Sequence, residues 1–550
     1  MKKCMRAALC LLTAVWMLAG GQAMAQELTV RRVDGIGEAV GIWEKSDGQL
    51  YLFLPAYMEG QMLEVRYEGT GSVCMGEMDI PSGSQTDAIQ GGAELTLEDG
   101  ETIIVMQSRN LPAVHLTTAS GSLDYIHEKK GNKESGSMTI VTAEGVVNYC
   151  QEIDTIKGHG NATFVYEKKS YQVKLEKKAP LLGMDEGKTY VLLANQHENS
   201  LLRNRLTFEL AAAIGLRYTP ECRSVDLYVN GEYRGNYLLC DKVKISSGCV
   251  DITDSEELIE AANAEFIEEG GEPELYGSSK YAAGTYKGAA WPVEPEDITG
   301  GYLFELEYTQ RYPDETSGVV TERGQAVVVK YPEEMSAAQG EYVNELLNRF
   351  ERAIFAGDGV DAQSGMHYTE IADFDSLVRK YMIEEISKNY DANKSSQYFY
   401  KDSDSVDTRI YAGPVWDYDS AWGNYAQEGK LETAAPTGLN VAQKGFKYSW
   451  WPALYKQSDF AAQVRSVFDE ELKPLLYGVI GEYALPAGSG LKSLDAYAQE
   501  LSASAEMNFV RWRVLNHSSR AVKTGATYAE NIEYLRDWIE NRLEYLDKTW

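Results

Sequence analysis

The feature that most constrains this chain is a change of hydrophobic period part-way along it. Up to about residue 330 the apolar residues alternate in short runs, the two-residue repeat of half-buried strands. Beyond about residue 335 they recur at three and four residues, as in Val343, Leu346, Leu347, Phe350 and Ile354, the stripe of an amphipathic helix. A strand-rich first part followed by a helical second part predicts an α+β chain with two lobes. One stretch stands out: Gly413-Pro414-Val415-Trp416-Asp417-Tyr418-Asp419-Ser420-Ala421-Trp422-Gly423 sets two carboxylates two residues apart among large aromatics. Buried carboxylates are costly alone and want a cation. Hard oxygen donors of this kind suit Mg²⁺, Mn²⁺ or Ca²⁺. The plainer alternative is a surface turn whose aspartates cap local amides.

Residues 1–25 read as a secretory signal peptide. Lys2, Lys3 and Arg6 form a charged start, Ala7 to Ala19 an apolar run, and Ala23-Met24-Ala25 a small-residue cleavage pattern. The run is short for a membrane span and no other stretch reaches about 18 apolar residues, so the mature chain is expected to be exported, without a span. Cleavage removes three of 52 basic residues, leaving 49 against 83 acidic ones and a formal charge of −34. Nucleic acid and anionic membranes bind positive patches, so a charge of this sign argues against both as partners. Five cysteines remain, Cys74, Cys150, Cys222, Cys240 and Cys249, with no C-x-x-C spacing, and the six histidines are scattered. Zinc and thioredoxin-like chemistry are not indicated. Buried free thiols, or one disulfide among Cys222, Cys240 and Cys249, both fit so low a cysteine density.

From residue 26 to about 130, strands at roughly ten-residue spacing with turn signals predict a small β-sandwich-like module, a binding or spacer domain. The polar, glycine-bearing stretch 131–136 reads as a linker. The second domain, 137–550, divides into a strand-rich lobe of about 137–330 and a helical lobe of about 335–550. An acidic, aperiodic stretch at 251–299 reads as an exposed insertion. Asn199-Ser200 opens a helix over 201–214, and Asn230-Gly231 between two alternating runs marks a hairpin.

Three clusters along the second domain fit phosphoryl transfer. Gly158-His159-Gly160-Asn161, between two strand patterns, can present backbone N–H groups to phosphate, although G-x-G is also an ordinary hairpin turn. Lys169 and Lys174 follow on an alternating strand, where a solvated face explains lysines equally well. Asp391 stands in a polar segment after an apolar helix, with Asp417 and Asp419 after it. Glycine loop, strand lysine, isolated aspartate and paired aspartates is the order of parts in protein kinases. There the lysine orients phosphates, one aspartate accepts the hydroxyl proton and a later one holds Mg²⁺. A glycan-cleaving role fits poorly, because Asp417 and Asp419 are too close in sequence to flank a glycosidic bond.

Residues 135–550 resemble the CotH family of spore-coat-type atypical kinases. The matching blocks are Ile156-Lys157-Gly158-His159-Gly160-Asn161, Lys169-Ser170-Tyr171-Gln172-Val173-Lys174-Leu175, Leu192-Leu193-Ala194-Asn195, Leu202-Arg203-Asn204, the hairpin Leu227 to Tyr237, Gly300 to Glu305, Asn389-Tyr390-Asp391 and Gly413 to Asp419. The resemblance implies a divergent, two-lobed protein-kinase-like fold with Asp391 as proton acceptor and Asp417, with Asp419 beside it, at the metal. It implies nucleotide contacts from Gly158, Gly160, Asn161, Lys169, Arg203 and Asp241. The phosphate-orienting lysine is Lys174 or Lys169, with Glu209 as its partner by analogy. ATP and Mg²⁺ (or Mn²⁺) are the cofactors so implied, and a protein substrate at the cell surface or in an extracellular assembly is the implied partner. His159 stands where the family usually has Arg, and Asp241 where it usually has Glu. A Ser/Thr kinase is the leading reading. An assembly protein on a kinase-like scaffold without turnover, and an AMP-transferring or ligating enzyme of the same fold, stand beside it.

Overall fold

The computed structural model of the chain describes residues 28–67, 73–160, 163–277, 280–425, 434–515, 522 and 525–550. The expected signal peptide and Asn161 lie outside the described residues. Three hydrogen-bonded sheets form in chain order among the described residues. The first has nine strands between Thr29–Arg32 and Thr102–Gln107. Its centre is Leu50–Leu54, buried along its whole length and parallel to Thr102–Gln107. The strands fall into two groups that share Val40–Glu44. Val40–Glu44 pairs with Thr29–Arg32 through Val40 and Gly41, and with Leu50–Leu54 through Ile42 to Glu44.

The second sheet closes into a barrel of Ala113–Thr118, Lys133–Val141, Val147–His159, Ser170–Pro180, Glu186–Leu193, Glu232–Asp241 and Cys222–Val229. Side chains alternate across its wall. Tyr171, Val173, Leu175, Val225, Leu227 and Leu239 fill the interior. The register Lys157–Gln172–Val191–Cys240 therefore runs across the outer face. The hairpin at Asn230-Gly231 forms as expected, both residues taking positive φ (53° and 82°) as a tight two-residue turn requires.

The expected linker is corrected by this barrel. Lys133–Val141 takes in residues 133–136 of it, and Ala113–Thr118 closes the barrel by pairing with this strand on one side and with Cys222–Val229 on the other. Gly136 marks close packing rather than a joint: a Cβ there would lie 2.1 Å from the Thr117 carbonyl oxygen. The first sheet also shares its core with barrel residues Ala113, Val141, Tyr228 and Tyr233, and the Tyr57 hydroxyl meets His115 Nε2 at 3.0 Å. A chain cut to 135–550 lacks the closing strand and bares this apolar face. It is expected to lose the cooperative thermal transition of the whole chain, followed by circular dichroism. A sharp melt from 135–550 would show that the barrel closes without Ala113–Thr118.

The third sheet is antiparallel, in the order Glu274–Tyr276, Thr285–Ala290, Gly318–Val320, Ala326–Tyr331, Tyr302–Leu306, Gln397–Lys401 and Tyr411–Ala412. The stretch 251–299 is thus no loose insertion. It holds the helices Ser255–Ala262 and Ala264–Glu268 and supplies two strands, which its acidic composition concealed. Helices follow beyond residue 335 as the apolar stripes predict. Ala337–Phe355 opens with a capping box between Ser336 and Gln339. One large core joins Arg203–Ala213, Phe374–Ser387 and Tyr528–Thr549 through Leu206, Phe208, Tyr381, Ile386, Trp422 and Leu535. Two strands of the third sheet decide the site. Gln397–Lys401 pairs with Tyr411–Ala412 through Phe399 and Ala412, so the loop before the first and the segment after the second lie side by side.

Candidate active site

Those two segments carry Asp391 and the Asp417–Asp419 pair. The helix Phe374–Ser387 ends at Lys388 in a left-handed turn (φ +48°), which swings the chain into 389–396. Just inside that end, the buried carboxylate of Glu384 accepts bonds from Lys380 Nζ, from the Tyr418 hydroxyl and from Asn389 Nδ2 at 2.8 Å. One side chain thus fixes the residue two before Asp391 and the residue between Asp417 and Asp419. The N-terminus of Arg203–Ala213 holds the same segment from the other side. Asn204 Oδ1 accepts from the Tyr418 backbone N–H at 2.7 Å, Thr207 Oγ1 from Trp422 Nε1 at 2.8 Å, and Arg203 Nε donates to the Trp422 carbonyl at 3.3 Å. Glu384→Gln keeps the shape but leaves Lys380 buried without a counter-charge. It is expected to cost about 3 kcal/mol in denaturant unfolding. A loss under 1 kcal/mol would mean that Lys380 is already neutral.

Between these clamps the acids converge. Asp391 Oδ1 accepts the Tyr308 hydroxyl at 2.7 Å. Ser396 bridges two more: its Oγ donates to Asp417 Oδ2 at 3.3 Å and its backbone N–H to Glu305 Oε1 at 3.2 Å. Burial, then the neighbouring charges of Asp419 and Asp391, push Asp417 well above the usual carboxylate range. Burial raises Asp391 too, against the Tyr308 hydrogen bond and the Lys394 charge. Glu305 is held up to about 7, chiefly by burial. Asp417 itself has φ +67°, a left-handed conformation that Asp tolerates better than most residues.

The opposing wall is the outer face of the barrel, where the His159 ring meets Trp416 edge-on at 6.3 Å. Here the charge changes sign. Burial pushes Lys242 down to about 8, with Lys157, Lys244 and Lys330 adding repulsion. Burial and the charges of Lys242, Lys130 and Lys157 hold His159 down to about 4, so it is neutral at pH 7. Among the described residues neither Lys157 nor Lys242 has a carboxylate within ion-pair distance. Two half-buried lysines left unpaired, in a chain so acidic, form a ready anion site.

The residues expected to hold nucleotide are only partly brought here. Gly158 and Gly160 are at the cleft beside His159. A Cβ on Gly158 would strike the Phe164 ring at 2.3 Å, and Gly160 takes φ +88°. Lys169 is spent on the turn that follows, donating to the carbonyls of Phe164 at 2.6 Å and Tyr166 at 2.7 Å. Lys174 sits opposite Thr155 and Thr189, exposed and one register further out than Lys157. Arg203 is buried in an ion pair with Glu198, so it positions Trp422 rather than facing the cleft. Asp241 is buried beside Glu221 and Asp185, and desolvation raises it to about 7. Glu209 pairs with Arg205 at 2.8 Å, not with a barrel lysine. Lys157 and Lys242 were missed, although each adjoins a residue singled out from the sequence, Gly158 and Asp241. Strand parity, which puts Lys157 on the outer face with Gln172, is the signal that finds the first.

Among the described residues no three His, Cys, Asp or Glu side chains gather closely enough to form a metal site by themselves. The donors present still fit Mg²⁺ or Mn²⁺. Such ions bind commonly through one or two carboxylates, with phosphate and water completing the shell. Asp417 and Asp419 supply those two, and burial with the neighbouring acids, which push Asp417 upward, is the setting that a bound cation would relieve.

A barrel wall bearing lysines, set against a helix-backed acidic cleft, defines a protein of mixed α+β architecture with a candidate site for an anion and a cation together. The family model described as CotH kinase protein matches residues 156–546, and the chain belongs to that family, a kinase-like one. The chain has no significant match among curated proteins. No helix among the described residues is long and apolar enough to cross a membrane.

Proposed function

We propose that the chain is an exported, ATP- and Mg²⁺-dependent (or Mn²⁺-dependent) kinase that transfers phosphate to Ser/Thr hydroxyls of a protein at the cell surface or in an extracellular assembly. Its barrel and helical half then correspond to the two lobes of a divergent kinase-like fold. One observation carries the reading: among the described residues Lys157 and Lys242 have no carboxylate in ion-pair distance on one wall of the cleft, and Asp417 has no cation in ion-pair distance on the other. A nucleotide triphosphate with its metal answers both needs at once.

In this reading Asp417 and Asp419 hold the metal, which neutralises charge on the transferring phosphoryl group. Lys157 and Lys242 orient the phosphates, and the backbone around Gly158 and Gly160 closes over them. Asp391, its affinity for protons raised by burial, takes the proton from the acceptor hydroxyl. Trp416 and His159 exclude water from one side.

The reading is tested by incubating the mature chain with ATP labelled on the γ- or the α-phosphate, Mg²⁺ and a Ser/Thr-bearing protein. Transfer of the γ-label, lost in a Lys157→Ala/Lys242→Ala chain, is the expected result. Weakened Mg·ATP binding by that double variant, on the order of 10-fold or more, should accompany it, since each lysine makes a charge-assisted contact. Transfer of the α-label instead would make the protein an AMP transferase. Binding without either transfer would make it an assembly protein on a kinase-like scaffold.

A further inference from the structure

The acceptor's place on Asp391 is not empty of hydroxyls. Tyr308 leads out of the strand Tyr302–Leu306 into the loop 307–317, and its hydroxyl donates to Asp391 Oδ1 at 2.7 Å. Among the described residues it is the side chain that bonds to this carboxylate, the group assigned above to take the acceptor's proton. The phenol therefore stands where a substrate hydroxyl would stand. The loop is anchored beyond it by buried Tyr312, whose carbonyl accepts from Lys287 Nζ at 2.8 Å, while the contacts beside Tyr308 itself are partly exposed. Arg311 lies 5.3 Å from the Tyr308 ring and reaches Glu307 at 3.4 Å, a partly exposed pair.

We propose that Tyr308 is an internal acceptor, phosphorylated on its phenol by the chain's own active site; this rests on the kinase reading above. The phenolic oxygen forms a bond to the γ-phosphorus of ATP. The bond from that phosphorus to the β,γ-bridging oxygen breaks, ADP leaves with the electron pair, and the phenolic proton passes to Asp391. A phosphate at residue 308 then faces Asp391, Asp417 and Asp419. Like charge drives it from the cleft, with Arg311 at hand to receive it. Self-modification thereby clears the acceptor's place for an outside hydroxyl.

The test uses the full mature chain with ATP and Mg²⁺ and maps phosphate by tandem mass spectrometry. The expected result is phosphate on Tyr308 in the wild type and none there in Asp391→Asn. Tyr308→Phe should label an added Ser/Thr acceptor about twofold faster or more, since removing an internal occupant frees the sites it held. Three outcomes overturn the proposal. If the wild type labels the acceptor or its other residues but never Tyr308, the inference fails and the kinase reading stands. If Tyr308→Phe stays folded by circular dichroism yet labels the acceptor more slowly, Tyr308 orients Asp391 instead. If the wild type labels nothing, the kinase reading fails and takes the inference with it.

Discussion

Asp417→Asn is expected to abolish phosphotransfer and, in the same variant, to weaken Mg²⁺-dependent binding of ATP. The amide preserves the left-handed turn and can still accept the Ser396 hydroxyl, so the segment keeps its shape. What it loses is the charge that a hard divalent cation needs. A bound metal supplies several kcal/mol of charge stabilisation to the reaction, so the fall in turnover should be on the order of 10³-fold or more. The same change should make the protein harder to unfold. Burial and the neighbouring Asp419 and Asp391 raise Asp417, so without a cation its charged form is destabilising and a neutral amide relieves it. Titration calorimetry of ATP with and without Mg²⁺, beside thermal melts, separates the two effects. Parent-like binding of Mg·ATP by Asp417→Asn would remove Asp417 from the metal site. A lower melting temperature would show that the charge is already compensated.

This opposition of stability and function also explains how much of the site was legible in the sequence. The acids were legible because their arrangement is local. Asp417, Tyr418 and Asp419 are consecutive, and Asp391 ends a helix stripe that a reader can count. Their convergence needs only one strand pair, Gln397–Lys401 with Tyr411–Ala412. The cations were not legible in this way. Which lysine faces the cleft depends on strand parity and on register across four barrel strands, where Lys157, Gln172, Val191 and Cys240 share a row. The sequence pattern favours Lys169 and Lys174 over Lys157 and Lys242, and only the fold ties Lys169 to two carbonyls and leaves Lys174 in solvent. Long-range pairing hid the domain boundary as well. Ala113–Thr118 closes the barrel by lying parallel to Cys222–Val229, a contact that local turn chemistry does not announce. Gly136 misled for a physical reason: glycine serves both flexible joints and close backbone approach, and here it does the second.

Asp391→Asn should separate the two acidic positions. It removes the proton acceptor but leaves Lys157, Lys242 and the carboxylates of Asp417 and Asp419 in place, easing only the lesser of the Asp419 and Asp391 charges that raise Asp417, so ATP affinity with Mg²⁺ should stay close to that of the parent. Turnover should fall by about 10²–10⁴-fold, the range for a positioned proton transfer. The pH profile supplies a second readout. Burial raises Asp391 above the ordinary carboxylate range, so the parent's rate should rise with pH as this group loses its proton and then level off. The rising limb should vanish from the residual rate of Asp391→Asn, because the amide does not titrate. The backbone at this position should be undisturbed, since Asn389 Oδ1 still accepts the residue's N–H at 3.1 Å and Glu384 still holds Asn389. An Asn variant that bound Mg·ATP 10-fold more weakly, or that kept the rising limb, would place Asp391 at the metal and leave the proton acceptor to be sought at Glu305, the other carboxylate against Ser396.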